Sequence, residues 1–111
     1  MQTLPNADRA FVGPNKLAGY SLDSNHPSGK HKARVFASAL GLTADDADWL
    51  RDEILSAAVT TEARNAGEVP FGHRYVVDFP LSTEAGTALV RTSWIVRRTE
   101  TFPRLTSCYI P

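Results

Sequence analysis

Two short stretches of this chain carry side chains able to handle a phosphate group without a metal. They are His26 and Lys32 in HPSGKHKARVFASALG (26–41), and Arg104 and Thr106 in PRLTSCY (103–109). A histidine titrates near neutrality and can give or take a proton. An ammonium and a planar guanidinium neutralise phosphate oxygens, and a neighbouring hydroxyl can orient them. The four together could bind a phosphodiester, withdraw a proton from a 2′-hydroxyl and stabilise the charged transition state. The sequence has no G-x-S-x-G, no glycine-rich phosphate loop and no acidic pair of catalytic spacing. Cys108 is single, and His26 and His31 have no further ligand at a zinc spacing. No metal and no other cofactor is expected.

The elements that must position these groups follow from periodicity. Residues Lys30 to Leu40 predict a helix, with Ser28 able to cap it and Gly41 to end it. The first turn then carries Lys30, His31 and Lys32, cations at the positive end of the helix dipole. That is either a small liability or an anion site, because first-turn amides and nearby cations suit a phosphate. At about 100° per residue, Lys30, His31, Arg34 and Ser38 share one arc, and Ala33, Val35, Phe36, Ala39 and Leu40 the other. Lys32 falls inside the apolar arc. It either snorkels to water at the helix end or sits at a pocket mouth aimed at an anion, with Gly29 admitting a ligand close to the backbone. Lys30, His31, Arg34 and, further along, Arg97 are candidate phosphate or RNA contacts around that centre. Arg104 and Thr106 stand two apart on an expected strand, which puts both on one face. A solvated helix end and a solvated sheet face are the plainer explanations of the same residues.

Around these stretches, Pro14 to Leu22 suggests a weak two-turn helix, and Thr43 with Asp46 resembles a capping box for a helix over Ala44 to Val59. The period then changes. HRYVVDFPL (73–81) alternates, with Tyr75, Val77, Phe79 and Leu81 on one face and Pro80 marking a strand end or edge. ALVRTSWIVRR (88–98) reads as a central strand with Trp94 in the core, and RLTSCYI (104–110) as a further strand. Helices followed by strands predict an α+β fold in one domain, 1–111, with N-terminal helices on an antiparallel sheet of three to four strands.

Composition narrows the class of partner only a little. Of 111 residues, 42% are apolar and 22% charged, as in an ordinary globular chain, and 12 basic side chains balance 12 acidic ones. Residues 26–34 nevertheless carry +3, residues 45–68 carry −5 from seven acids against Arg51 and Arg64, and residues 69–111 carry +2. A local anion site fits this layout, whereas strong nonspecific RNA binding does not. MQTLPNADRAF lacks the features of a signal peptide, and no apolar run approaches a membrane span. A cytoplasmic protein without membrane attachment is expected, its oligomeric state unspecified.

The stretches LPNADRAFV, KLAGYSLDSNHPSGKHKARVFASALGL, FGHRYVVDFP, TSWIV and PRLTSCYI together resemble a bacterial domain family without a functional name, marked by HPxGxxKAxxF and RLTxxY. Similar domains occur as small stand-alone proteins and at the C-termini of polymorphic toxins. That context and the element order resemble the RelE, barnase and colicin D type of metal-independent ribonuclease. Carried onto this chain, the resemblance marks His26, Pro27, Gly29, Lys32, Ala33 and Phe36, then Trp94, then Arg104, Leu105 and Thr106. Phe71-Gly72 departs from the Tyr-Gly common in relatives. The resemblance implies a toxin-like endoribonuclease acting on RNA, such as a tRNA or ribosome-bound mRNA. It would leave a 2′,3′-cyclic phosphate and be held by a cognate antitoxin or immunity protein. His26 would be general acid or base, Lys32 and Arg104 would bind the scissile phosphate, and Thr106 would orient it. Two other classes fit the residues: a non-catalytic antitoxin, immunity or interaction module of the same fold, and a nucleotide or small-anion binder, which predicts a deep closed pocket.

Overall fold

The computed structural model describes residues 2–111. Two helices, α1 (Lys30–Leu40) and α2 (Ala47–Thr60), precede four strands, β1 (Arg64–Val69), β2 (Gly72–Thr83), β3 (Gly86–Arg97) and β4 (Pro103–Tyr109). The strands form an antiparallel meander in the order β1-β2-β3-β4. The result is the α+β architecture expected from sequence, with both helices packed against the sheet.

Alternation assigns the sheet's faces. Val77, Phe79 and Leu81 of β2 and Val90, Thr92 and Trp94 of β3 are buried with Phe36, Leu40, Leu50 and Ile54 from the helices. Within this core the Trp94 indole N–H donates to the Thr92 hydroxyl at 2.9 Å, and that hydroxyl donates to the Val77 carbonyl at 2.8 Å. Thr92→Val keeps the shape but leaves the buried indole N–H without an acceptor. A loss of about 1–3 kcal/mol is expected, measured by urea unfolding. A loss below about 0.5 kcal/mol would mean the indole finds another acceptor.

Gly41, in the left-handed region at φ 66°, ends α1, and the expected capping box of Thr43 and Asp46 is present ahead of α2. Three local expectations change. Instead of two helical turns from Pro14 to Leu22, a single π turn spans Leu17–Ser21, and the Ser21 hydroxyl donates to the Cys108 carbonyl at 2.8 Å. Strand β1 had no clear sequence signal, because Arg-Asn-Ala-Gly-Glu is exposed on both faces and only pairing with β2 extends it. It stops opposite Val76, so Pro80 lies on the unpaired side of β2, where its missing N–H costs no ladder bond.

The third change concerns β4. A bulge opposite Ser93 and Trp94 leaves Thr106 as an extra residue, since Ser93 pairs with Ser107 and Trp94 with Leu105. Arg104 and Thr106 keep the outward face, alternating with buried Pro103 and Leu105, and the two-residue period breaks only after Thr106, where Ser107 stays outward and Cys108 is buried. The Thr106 hydroxyl donates to the Ser93 carbonyl at 3.1 Å, serving a ladder group at the bulge. Alongside β4, the N-terminal segment adds a parallel bridge at Phe11, with Phe11 N–H to Pro103 and Leu105 N–H to Phe11, both at 2.9 Å.

Candidate functional site

Helix α1 is entered through a turn, Pro27–Gly29, whose bonding is already helical: the Lys30 amide donates to the His26 carbonyl at 3.0 Å. The cap is His26 rather than Ser28. Its Nδ1 accepts the amides of Ser28 and Gly29, each at 3.0 Å, the two donors that an N-cap side chain normally satisfies. Proline directly after the cap has the φ a first helical residue needs and no N–H to waste. Glycine is required two residues later for space, because a Cβ on Gly29 would overlap the Tyr20 carbonyl oxygen.

This geometry revises the electrostatics inferred from sequence. The first-turn amides are occupied by an imidazole nitrogen, so the helix end is not an open anion site. Lys30, His31 and Lys32 belong to the second turn, beyond the strongest reach of the dipole. With Nδ1 accepting two N–H groups, the neutral ring carries its proton on Nε2. His26 is thereby a fixed donor. Serving as a base through Nδ1 would require giving up both amide bonds.

Lys32 sits at the mouth of a cleft, with its ammonium against two aromatic rings. Its stem runs with the packed face of α1, and its ammonium lies 4.9 Å from the centroid of Tyr20 and 5.3 Å from that of Tyr109. Aromatic faces stabilise a partly desolvated cation. Tyr20 also meets the His26 ring edge-on at 4.7 Å. These groups border an open cleft of about 640 Å³ lined by Lys16, Tyr20, His26, Lys32, Thr106 and Ser107 together with Gly13, Pro14, Asn15 and Gly19. Among the described residues no carboxylate lines it. Thr106 also lines a second hollow of about 520 Å³, bounded by Pro70, Phe71, Ile95, Arg97, Arg98 and Thr99 and likewise free of carboxylates. The two depressions adjoin at the β4 bulge.

Three of the four residues expected at the centre, His26, Lys32 and Thr106, thus share one cleft. Arg104 does not join them. Its guanidinium is chelated by Glu100 at 2.7 and 2.6 Å and lies 5.0 and 5.1 Å from the rings of Phe11 and Phe102. The bond from Arg104 holds the Glu100 carboxyl below its usual range. Arg104 therefore fastens the Phe11 segment to β4, and that segment continues into the cleft wall at Gly13 to Lys16. Of the outer contacts, Lys30, His31 and Arg34 lie exposed on α1 and line neither depression, whereas Arg97 borders the second.

Tyr20, Tyr109 and Lys16 were missed. Tyr109 was signalled by the final aromatic of RLTxxY; Tyr20 and Lys16 had no periodic or motif signal, because an irregular turn presents them. Cys108 is buried beneath the site, its thiol pushed up to about 12 by desolvation, which removes it as a nucleophile. Among the described residues no group of three His, Cys, Asp or Glu could hold a metal ion, and no helix is long and apolar enough to cross a membrane.

Compared with known proteins, the sequence from residue 3 to 111 matches a family model described as a domain of unknown function, DUF6883. The chain belongs to that family. No curated protein matches it.

Proposed function

Taking membership of this family as the premise, we propose that the protein binds the phosphodiester backbone of RNA in the cleft and cleaves it as a metal-independent, toxin-like endoribonuclease. One observation carries the reading. A carboxylate-free cleft holding Lys16, His26 and Lys32 shares Thr106 as a wall with a carboxylate-free hollow holding Arg97 and Arg98. An open, two-part cationic trough suits a chain of phosphates better than a single small anion, which favours an enclosed pocket. Similarity in element order to RelE, barnase and colicin D type ribonucleases supports the same class.

In this reading Lys32 and the Nε2–H of His26 face the scissile phosphate. The 2′-oxygen attacks phosphorus, the bond to the 5′-oxygen breaks, and the products are a 2′,3′-cyclic phosphate and a 5′-hydroxyl. The two cationic or donor groups stabilise the charge on the phosphorane oxygens. The 2′-hydroxyl proton passes to solvent, and solvent reprotonates the 5′-oxygen, because the cleft offers no carboxylate. Thr106, bonded to Ser93, shapes the junction. A cognate antitoxin or immunity protein would act by covering the trough.

A second reading, a binding module without cleavage, is favoured by one feature: both amide bonds to His26 Nδ1 withhold that nitrogen from proton transfer. The test is incubation of the purified protein with a 5′-labelled RNA, beside Lys32→Met. New fragments ending in 2′,3′-cyclic phosphate, made by the wild type and not by the variant, support the nuclease. Retention of RNA without cleavage supports the binding module. Neither retention nor cleavage overturns both.

A further inference from the structure

The turn between β1 and β2 holds an aromatic ring away from the core: Phe71 is 75% exposed. Its backbone is nonetheless pinned. The Arg98 amide donates to the Phe71 carbonyl at 3.1 Å, and Arg98 Nε donates to the Pro70 carbonyl at 2.9 Å. Arg98 also reaches the Val69 carbonyl at 3.3 Å and Glu68 at 3.4 Å, so it acts as a clamp on the turn. Arg97 is the freer cation. Its carboxylate neighbour Glu100, 3.9 Å away, is bound at shorter range by Arg104.

The second hollow therefore combines a pinned, solvent-facing aromatic, an apolar side chain in Ile95 and an arginine with spare charge, and it shares Thr106 with the cleft. Packing gives no reason for a phenyl ring to stand in water here. Stacking on a nucleobase does, since an aromatic face beside a cation matches a base and its phosphate. We propose that this hollow is a base-stacking subsite: an unpaired base lies on Phe71, its phosphate lies at Arg97, and the strand continues past Thr106 into the cleft at Lys32. The ligand is then single-stranded RNA, because a duplex keeps its base faces stacked within itself. This assignment rests on the RNA-backbone reading of the cleft.

Fluorescence anisotropy with a labelled 2′-O-methyl octanucleotide, which cannot be cut by 2′-hydroxyl attack, tests it. The octamer is titrated single-stranded and annealed to its complement, against the wild type, Phe71→Ala, Phe71→Tyr and Lys32→Met. The single strand is expected to bind the wild type at least about tenfold more tightly than the duplex. Phe71→Ala should weaken it about tenfold, and Phe71→Tyr should restore it. Because the ring is exposed, Phe71→Ala leaves the fold intact, checked by its unfolding curve. Wild-type affinity in Phe71→Ala with a loss in Lys32→Met overturns the stacking subsite and leaves the cleft reading standing. Wild-type affinity in both variants, or no binding by the wild type, overturns both. Equal affinity for duplex and single strand overturns the single-strand assignment.

Discussion

Lys32→Met is expected to lower RNA cleavage by about 100-fold, the lower end of the range for removing one charge-stabilising donor, as suits an open cleft. The fold should survive. Methionine follows the same apolar path along α1, and the ammonium it removes touches two aromatic faces rather than a buried carboxylate. Binding of the uncleavable octamer should fall as well, with the slope of log affinity against log salt reduced by about 0.7, the value for one phosphate contact on a single strand. Lys32→Arg separates charge from geometry. A guanidinium keeps the positive charge and stacks on tyrosine, so it should retain binding while its broader head misplaces the phosphate and slows cleavage. Unchanged binding and an unchanged salt slope in Lys32→Met would remove Lys32 from the site altogether.

Gly29→Ala should cost about 3 kcal/mol or more, although alanine is the better helix former and the φ of −86° at this position suits it. The obstacle is space. The added methyl would overlap the Tyr20 carbonyl oxygen and lie 2.9 Å from the carbonyl carbon, and neither atom belongs to a side chain that can turn aside. The π turn and the entry to α1 must separate, which pulls Tyr20 from Lys32 and strains the amide bonds to His26. Urea unfolding and octamer binding should both register the change. Gly19→Ala in the same segment is the control, since its methyl meets only the Asn15 side chain, at 3.3 Å. If Gly29→Ala lies within about 1 kcal/mol of the wild type, the two segments are not in the tight contact described.

The α+β order, α1 with its Gly41 stop, the capping box before α2 and the inward face of β2 were readable in the sequence, because each depends on neighbours within a turn or on a simple two-residue or helical period. His26, Gly29 and Lys32 also stood out in the sequence, as residue types out of place in their local setting. Their roles were not readable. Which imidazole nitrogen is free depends on the amides the ring faces, and the fate of a lysine on an apolar arc depends on Tyr20 and Tyr109, 12 residues before it and 77 after it in the chain. The strand period does put Arg104 and Thr106 on one face of β4, but it could not show the bulge that follows, which depends on the partner strand's register, nor the Glu100 pair that draws Arg104 away from the cleft. Local sequence thus determined which elements form and which side chains need explaining. Only the tertiary structure decided that three of them meet in one cleft and that Arg104 fastens its wall, because ion pairs, aromatic stacking and strand register are made between segments far apart in the chain.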